Sequence, residues 1–139
     1  MTKTKTILIK TNGSGLYEFT DDLRTWVSGD GILHLFLKHT SASLLIQENF
    51  DPEVKTDLSN FFKRLVPVAS DPSMSYLTHR YEGEDDMPAH IKASLGQVSL
   101  AIPVISGELA LGSWQGVYLF EHRKARKNRE VVAKLQGDR

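Results

Sequence analysis

Histidines and carboxylates are the side chains of this sequence that could perform metal or acid–base chemistry. The 139 residues include five histidines and seventeen Asp and Glu residues, but no cysteine. The lack of cysteine excludes disulfides, thiolate metal sites and cysteine nucleophiles. Any strongly bound metal ion must therefore be held by imidazole nitrogens and carboxylate oxygens.

Three histidines stand where they could contribute to a site. His39 ends an apolar strand pattern, and a core histidine bonded to the backbone would fit that position as well as a functional one. His79 and His90 flank an acidic loop, yet a separation of eleven residues matches no standard ligand spacing on one helix. His90 could also face the interior, so the sequence leaves both interpretations of this pair open.

Carboxylate and amide side chains add further candidates. Glu48 alternates with apolar residues of a predicted strand, and a carboxylate on such a face must be paired or bound to something. Asp51 is explained as readily by capping of the helix that follows it. Gln115 lies in the segment GSWQG, where the flanking glycines permit close approach of another backbone or a ligand.

Hydrophobic periodicity predicts the elements that must position these residues. We expect strands at residues 4–11, 31–39, 43–49, 97–105 and 109–121, an edge strand at 129–135, and helices at 51–66 and 88–95. The strands at 31–39 and 43–49 are apolar on both faces, which predicts that they are central and pair with each other across the corner at residues 39–42. The long polar segment at 67–88 is typical of a functional loop.

These elements predict one α+β domain spanning residues 1–139. We expect a compact domain of packed, mostly antiparallel β-sheets, sandwich-like, with two main helices. No segment approaches the roughly 18 apolar residues of a membrane span, and the N-terminus has no signal-peptide pattern. A cytoplasmic protein without a membrane partner is the expectation.

Charge is balanced overall but not locally. Seventeen basic residues match seventeen acidic ones, so we expect no nucleic-acid partner. Residues 122–129 are strongly basic and residues 82–86 strongly acidic. Such runs are most often solvated surface, with phosphate binding or subunit pairing as the alternatives.

Three segments resemble the signature blocks of the YjbQ-like family, also called the secondary thiamine-phosphate synthase family. They are HTSASLLIQENFDPEVKTDL, HRYEGEDDMPAHIKASLG and LALGSWQGVYLFEHR, in the family's order and spacing. The resemblance covers roughly residues 5–132. It implies a compact α+β fold, a homotrimer and a weak thiamine-phosphate synthase activity, in which a pyrimidine pyrophosphate joins a thiazole phosphate and pyrophosphate is released.

The resemblance also implies a set of site residues. His39, His79 and His90 match family histidines and would bind a divalent metal ion, with Zn²⁺ and Mg²⁺ as the candidates. Glu48, Asp51, Asp86 and Gln115 match family positions that would serve catalysis. The basic segment at 122–129 departs from the Gly-Pro-Arg-like segment of many members, although Arg123, Arg126 or Arg129 could hold phosphate oxygens.

The predicted function is therefore a small cytoplasmic, metal-dependent enzyme that acts on a phosphorylated small-molecule substrate. A thiamine-phosphate-synthase-like transferase reaction would be a secondary activity. One alternative is a non-catalytic trimer that binds a metal ion or a metabolite. The other is an interaction protein whose clustered polar groups only stabilise the trimer.

Overall fold

The computed structural model describes residues 1–138. Alternating β-branched and apolar residues form most of the strands, and Pro52 and Asp86 begin the two longer helices. In chain order the elements are β1 Thr2–Asn12, β2 Gly15–Glu18, α1 Thr20–Arg24, β3 Gly31–Leu37, β4 Ala42–Glu48, α2 Pro52–Leu65, a 3₁₀ turn Pro72–Met74, α3 Asp86–Leu95, β5 Ser99–Ile105, β6 Glu108–Leu109, β7 Gln115–Glu121 and β8 Arg126–Gly137.

The strands form two antiparallel sheets. One has five strands in the order β1-β8-β3-β5-β6, and the other has three in the order β2-β7-β4. The hydrophobic core joins residues of both sheets. It includes Ile7, Leu33, Leu35, Ile102 and Val131 of the larger sheet and Ala42, Leu44, Val117 and Leu119 of the smaller one. The expected α+β fold with packed antiparallel sheets is confirmed.

The predicted pairing of β3 with β4 is wrong. β3 pairs with β5 and β8 in the larger sheet, whereas β4 pairs with β7 in the smaller one. The corner at residues 38–41 therefore carries the chain from one sheet to the other. Apolarity on both faces of two successive strands does not distinguish such a crossing from a hairpin.

β3 also differs from the prediction that both of its faces are covered. Its burial alternates strictly, with Leu33, Leu35 and Leu37 buried and Ile32 and Phe36 about half exposed. His34 also lies on the exposed face. Within one chain, the outer face of the larger sheet is thus uncovered, and it exposes the apolar side chains of Ile32 and Phe36.

The strand near the C-terminus is central, whereas an edge strand was the prediction for residues 129–135. β8 extends over Arg126–Gly137 and lies between β1 and β3, pairing with each along most of its length. Its buried positions, which include Val131, Ala133 and Leu135, face the core.

α2 begins as predicted. Asp51 is its N-cap, with the carboxylate accepting a hydrogen bond from the Glu53 amide, and Pro52 occupies the first helical position. With 14 residues, α2 is the longest helix, and within residues 1–138 no helix has both the length and the apolar character to cross a membrane.

Candidate functional site

The loop between α2 and α3 is held together by one arginine. The Arg80 guanidinium donates hydrogen bonds to the backbone carbonyls of Ala69, Met74 and Leu77, at distances of 2.9–3.1 Å. One planar guanidinium group has several N–H donors and can bond several carbonyls at once. The loop is therefore ordered around Arg80, and the neighbouring His79 is carried to the start of α3.

Two imidazoles and one carboxylate converge at this point. Nε2 of His79 lies 2.7 Å from Oδ2 of Asp86, and Nε2 of His90 lies 3.3 Å from the same oxygen. All three atoms lie within 4.8 Å of one another. Asp86 and His90 are four residues apart on α3, a spacing that places both on one face of the helix. We name His79, Asp86 and His90 the HDH cluster.

A backbone carbonyl fixes the orientation and the tautomer of His90. Nδ1 of His90 lies 2.9 Å from the carbonyl oxygen of Thr40, which only accepts hydrogen bonds, so Nδ1 carries the proton. In the neutral ring, Nε2 then presents a lone pair toward Oδ2 of Asp86. Two acceptors 3.3 Å apart repel each other unless a proton or a metal ion lies between them. The donor set is thus suited to a divalent cation, with Thr40 fixing the tautomer.

Arg123 holds the other side of the Asp86 carboxylate. Its Nη1 donates to Oδ1 of Asp86 at 2.6 Å, its Nε to Asp85 at 3.0 Å and its Nη2 to the carbonyl of Glu82 at 2.9 Å. Lys124 adds a hydrogen bond from its amide to Asp85. These contacts leave Oδ2 of Asp86 directed at the two imidazoles.

The acidic and basic runs therefore bind each other within one chain. Asp85 and Asp86 are buried, and Arg123 is largely so. The interpretation of residues 122–129 as solvated surface is wrong for this part of the run. The charges of Arg123 and Lys124 are therefore already matched by acidic side chains of the same chain.

The Asp86 carboxyl is charged at neutral pH despite its burial. Burial by itself raises the pKa of Asp86, but the hydrogen bond from His79 and the positive charge of Arg123 outweigh it and lower the pKa below its ordinary value. A charged carboxylate is the form that coordinates a metal ion.

His39 does not join the HDH cluster. Its Nε2 accepts a hydrogen bond from the Glu130 amide at 2.9 Å, while Nδ1 faces the Arg129 guanidinium at 3.4 Å. Burial, and then the charge of Arg129, lowers the pKa of His39, so its ring is neutral. The expected three-histidine ligand set thus differs from the group that the fold assembles, in which Asp86 stands in place of His39. The segment containing His39 contributes the Thr40 carbonyl instead.

Three other expected site residues lie at the opposite end of the smaller sheet. β4 and β7 pair from Ala42 and Glu121 at one end to Glu48 and Gln115 at the other. Seven residues of strand span about 20 Å. Since Thr40 and Arg123 place the HDH cluster at the Ala42 end, Glu48 and Gln115 of the same chain lie far from it.

Their hydrogen bonds are local. Glu48 accepts from the Asp51 amide at 3.2 Å, and Gln115 accepts from the Gly112 amide at 2.8 Å. Asp51 caps α2, as described above. Within one chain the structure therefore gives these three residues a role in turns and caps.

Two of the three phosphate-binding candidates are engaged by other side chains. Arg129 is buried and forms an ion pair with Glu121, and Arg123 is held by Asp85 and Asp86. Arg126 is exposed and forms one side-chain hydrogen bond, to Asn12, at 3.3 Å. Arg126 is therefore the freest of the three.

Part of this site could have been found in the sequence. Asp86 and His90 stand four residues apart, which is a good spacing for two ligands of one metal ion on a helix, although the sequence predicts that this helix begins only at residue 88. The Thr40 carbonyl carries no such signal, because any residue type provides a backbone oxygen.

Comparison with protein families gives one match along nearly the whole chain. The family model described as "UPF0047 protein YjbQ-like" matches residues 5–138. The UPF0047 protein sll1880 of Synechocystis sp. is 44% identical over 136 residues, covering 95% of this chain and 90% of the relative. The UPF0047 protein YjbQ of Salmonella typhimurium is also 44% identical, and the alignment covers 96% of this chain and 97% of the relative.

Solved structures agree with the fold. A conserved hypothetical protein from Thermus thermophilus superimposes with a TM-score of 0.83 at 31% identity, covering 95% of this chain and 99% of its own. A hypothetical protein from Aeropyrum pernix gives a TM-score of 0.84 at 22% identity, covering 98% of this chain and 99% of its own. At that identity the second likeness concerns the fold alone.

Proposed function

The chain belongs to the YjbQ-like UPF0047 family, and from that premise we propose that it is a cytoplasmic, metal-dependent enzyme acting on phosphorylated small molecules. The observation that carries this proposal is the convergence of the HDH cluster, in which two Nε2 atoms and one carboxylate oxygen lie within 4.8 Å. The tautomer of His90 and the orientation of Asp86 are both set by further hydrogen bonds, as in protein metal sites.

The ligand atoms favour Zn²⁺ over Mg²⁺. Two imidazole nitrogens and one carboxylate oxygen are a common catalytic ligand set for Zn²⁺, whereas Mg²⁺ prefers oxygen ligands. Three protein ligands would leave a bound Zn²⁺ one open position for water or a phosphate oxygen. When bound, such an ion stabilises negative charge on the oxygens of a leaving pyrophosphate group.

The residues around the HDH cluster have separate tasks in this proposal. Thr40 keeps the lone pair of His90 directed at the ion, and Arg123 holds the Asp86 carboxylate while neutralising part of its charge. Transfer with release of pyrophosphate, as in thiamine-phosphate synthesis, is proposed as a secondary activity. It rests on the resemblance of the sequence blocks to the secondary thiamine-phosphate synthase family.

We propose in addition that the protein is a homotrimer. The support is the outer face of the larger sheet, where Leu8, Ile32 and Phe36 are 45–53% exposed. Apolar side chains in one uncovered sheet face are typical of a subunit contact. Assembly would also determine whether Glu48 and Gln115 of one copy approach the HDH cluster of another.

A second candidate function is metal or metabolite binding without chemistry. It is favoured by the position of Glu48, Asp51 and Gln115, the residues expected to serve catalysis, which lie far from the HDH cluster within one chain. A turnover assay separates this candidate from the enzyme.

The test begins with metal affinity. Zn²⁺ titration by calorimetry should show one site per chain in the parent protein. His79→Ala, His90→Ala and Asp86→Asn should each weaken binding about tenfold or more, while His34→Ala, on the exposed face of β3, should bind as the parent does. Parent-like affinity in all three cluster variants would show that the HDH cluster is not a metal site.

The second part of the test measures turnover. Pyrophosphate release from the pyrimidine pyrophosphate and thiazole phosphate substrates should require added metal and be lost in Asp86→Asn. A protein that binds Zn²⁺ at the HDH cluster but gives no metal-dependent turnover with these or other phosphorylated compounds would support the binding function instead.

A further inference from the structure

A pocket of about 370 Å³ lies on the other side of α3 from the HDH cluster. It is enclosed by α2, α3 and the strands β4 and β7. Lys92, which lines it, follows His90 by two residues, and two residues rotate a helix by roughly 200°. No member of the HDH cluster lines the pocket, so the two places are separate.

Most of the pocket wall is apolar. It is formed by Leu44, Leu45, Leu58, Phe62, Leu95 and Phe120. Phe62 and Phe120 meet edge to face with ring centroids 5.2 Å apart, and the His122 ring lies 4.5 Å from that of Phe120. A volume and lining of this kind are typical of small-molecule sites, in which apolar walls surround a few polar groups.

His122 supplies one of these polar groups. It is only 4% exposed, and its Nε2 lies 3.0 Å from Oγ of the buried Ser43. Its other ring nitrogen, Nδ1, forms no hydrogen bond to any group within residues 1–138. Every fully buried polar side-chain atom in that range has a hydrogen-bond partner, so Nδ1 is not fully buried. Nδ1 therefore remains reachable, and it belongs to a side chain that lines the pocket.

The charge state of His122 is set by its surroundings. Burial, and then the nearby positive charge of Lys92, lowers the pKa of His122 to about 4. The ring is thus neutral at about pH 7, with one N–H and one lone pair. If the Ser43 hydroxyl donates to Nε2, the N–H is at Nδ1 and can donate to a ligand oxygen.

Lys92 supplies the second polar group. Its side chain is half-buried and forms no salt bridge with any carboxylate in the described part of the chain. A partly buried ammonium group at the edge of an apolar pocket, beside a neutral imidazole, is a site for one negative charge.

We propose that this pocket binds a small monocarboxylate with an apolar body, the size of a phenyl ring or a short acyl chain. The carboxylate lies between Lys92 and His122, and the apolar body contacts Phe62 and Phe120. One ammonium and one N–H donor match the charge and the two oxygens of a carboxylate. The site is independent of the metal-dependent reaction proposed above, since it shares no side chain with the HDH cluster.

The test uses phenylacetate as the probe and phenylacetamide as its neutral counterpart. Amide ¹H–¹⁵N NMR spectra of the full chain, recorded with EDTA to exclude metal-bound probe, should show saturable shifts at residues of α3, β4 and β7 around the pocket. Phenylacetate should bind about tenfold more tightly than phenylacetamide, because only the acid carries the charge that Lys92 attracts.

Variants separate the pocket from other surfaces. Lys92→Met and His122→Phe should each weaken phenylacetate binding about tenfold, whereas Lys5→Met, an exposed lysine of β1, should leave it unchanged. His79→Ala should also leave it unchanged, which distinguishes this pocket from the HDH cluster. Circular dichroism verifies that His122→Phe is folded. Lys92→Met replaces a partly exposed side chain, so it tests the role of the charge without disturbing the core.

Failure of either the binding test or its charge controls would overturn the proposal. The first failure is the absence of saturable shifts near the pocket at millimolar phenylacetate. The second is binding that Lys92→Met leaves unchanged, or that phenylacetamide reproduces with equal affinity.

Discussion

Glu121 and Arg129 form a buried ion pair that joins the two sheets. Glu121 ends β7 of the smaller sheet and is 0% exposed, while Arg129 lies in β8 of the larger sheet and is 4% exposed. The guanidinium donates to both carboxylate oxygens, and the Thr11 hydroxyl donates to Oε1 of Glu121 at 2.6 Å. Arg129 also donates to Oγ of Ser41 at 2.9 Å, so the groups of this pair are well satisfied.

We predict that breaking this pair is strongly destabilising. Arg129→Met should cost about 3–5 kcal/mol in the free energy of unfolding, because it leaves the Glu121 charge buried without a positively charged partner. The double variant Glu121→Leu with Arg129→Met should recover much of that loss. Urea unfolding at neutral pH measures both, and equal stability of the parent and Arg129→Met would contradict the prediction.

Acid should lower the free energy of unfolding through protonation of Glu121. Burial raises the pKa of Glu121, but its hydrogen bonds to Arg129 and Thr11 outweigh this and hold the pKa below the ordinary value. A lowered pKa contributes stability above the unfolded value of about 4.3, and that contribution is lost as the pH falls through the lower folded value. In Glu121→Gln the slope of unfolding free energy against pH below about pH 4.3 should be smaller than in the parent.

His122 should produce a pH dependence at higher pH. Its pKa is about 4 in the folded protein and about 6.5 when unfolded, so the unfolded chain binds more protons between these values. Stability attributable to this group should therefore fall as the pH is lowered, by about 2 kcal/mol between about pH 7 and pH 5. His122→Phe should lose this part of the slope, and His34→Phe, at an exposed position, serves as the control.

Arg123 is expected to support metal binding at the proposed site without touching the ion. Arg123→Met should lower Zn²⁺ affinity about tenfold, because the Asp86 carboxylate loses the group that orients it. Hydrogen exchange in the loop at residues 67–85 should also become faster. Arg126→Met removes an exposed arginine with one side-chain hydrogen bond and should change neither quantity.

The outer face of the larger sheet gives a prediction about assembly. Light scattering should report three times the 15.6 kDa mass of one chain for the parent protein. Phe36→Glu should shift the mass toward one chain, because a charge replaces an exposed aromatic ring on the face proposed to join subunits. Phe61→Glu on α2, at a similarly exposed position, should leave the mass unchanged. A parent protein of 15.6 kDa would exclude the trimer.

Sequence patterns predicted the fold well where the local chemistry is strong. The α2 cap at Asp51, the end of α3 at residue 95 and the end of β5 at residue 105 are each as predicted. Ser106 and Gly107 both have positive φ, the backbone that a tight hairpin of this kind requires. Such signals depend on a few neighbouring residues.

The partners of the strands could not be obtained in this way. The alternation of β3 indicates a strand, but it does not state that β8 and β5 are its neighbours or that one face stays uncovered. The same holds for the site: His79 and His90 were identified as candidates, whereas the roles of Thr40 and Arg123 depend on contacts between distant segments. Neither the use of a backbone carbonyl oxygen nor an ion pair between distant segments can be identified from residue types alone.

The central position of β8 has a consequence for the rate of folding. The larger sheet pairs the first strand with the last, from Thr2 opposite Gln136 to Asn12 opposite Arg126. Closing a loop of nearly the entire chain costs entropy before any of these hydrogen bonds forms, and folding slows as contacts become more distant in sequence. Until β8 is inserted, β1 and β3 have no bond to each other and both expose unpaired backbone groups. During that interval the chain is most vulnerable to pairing with another copy of itself.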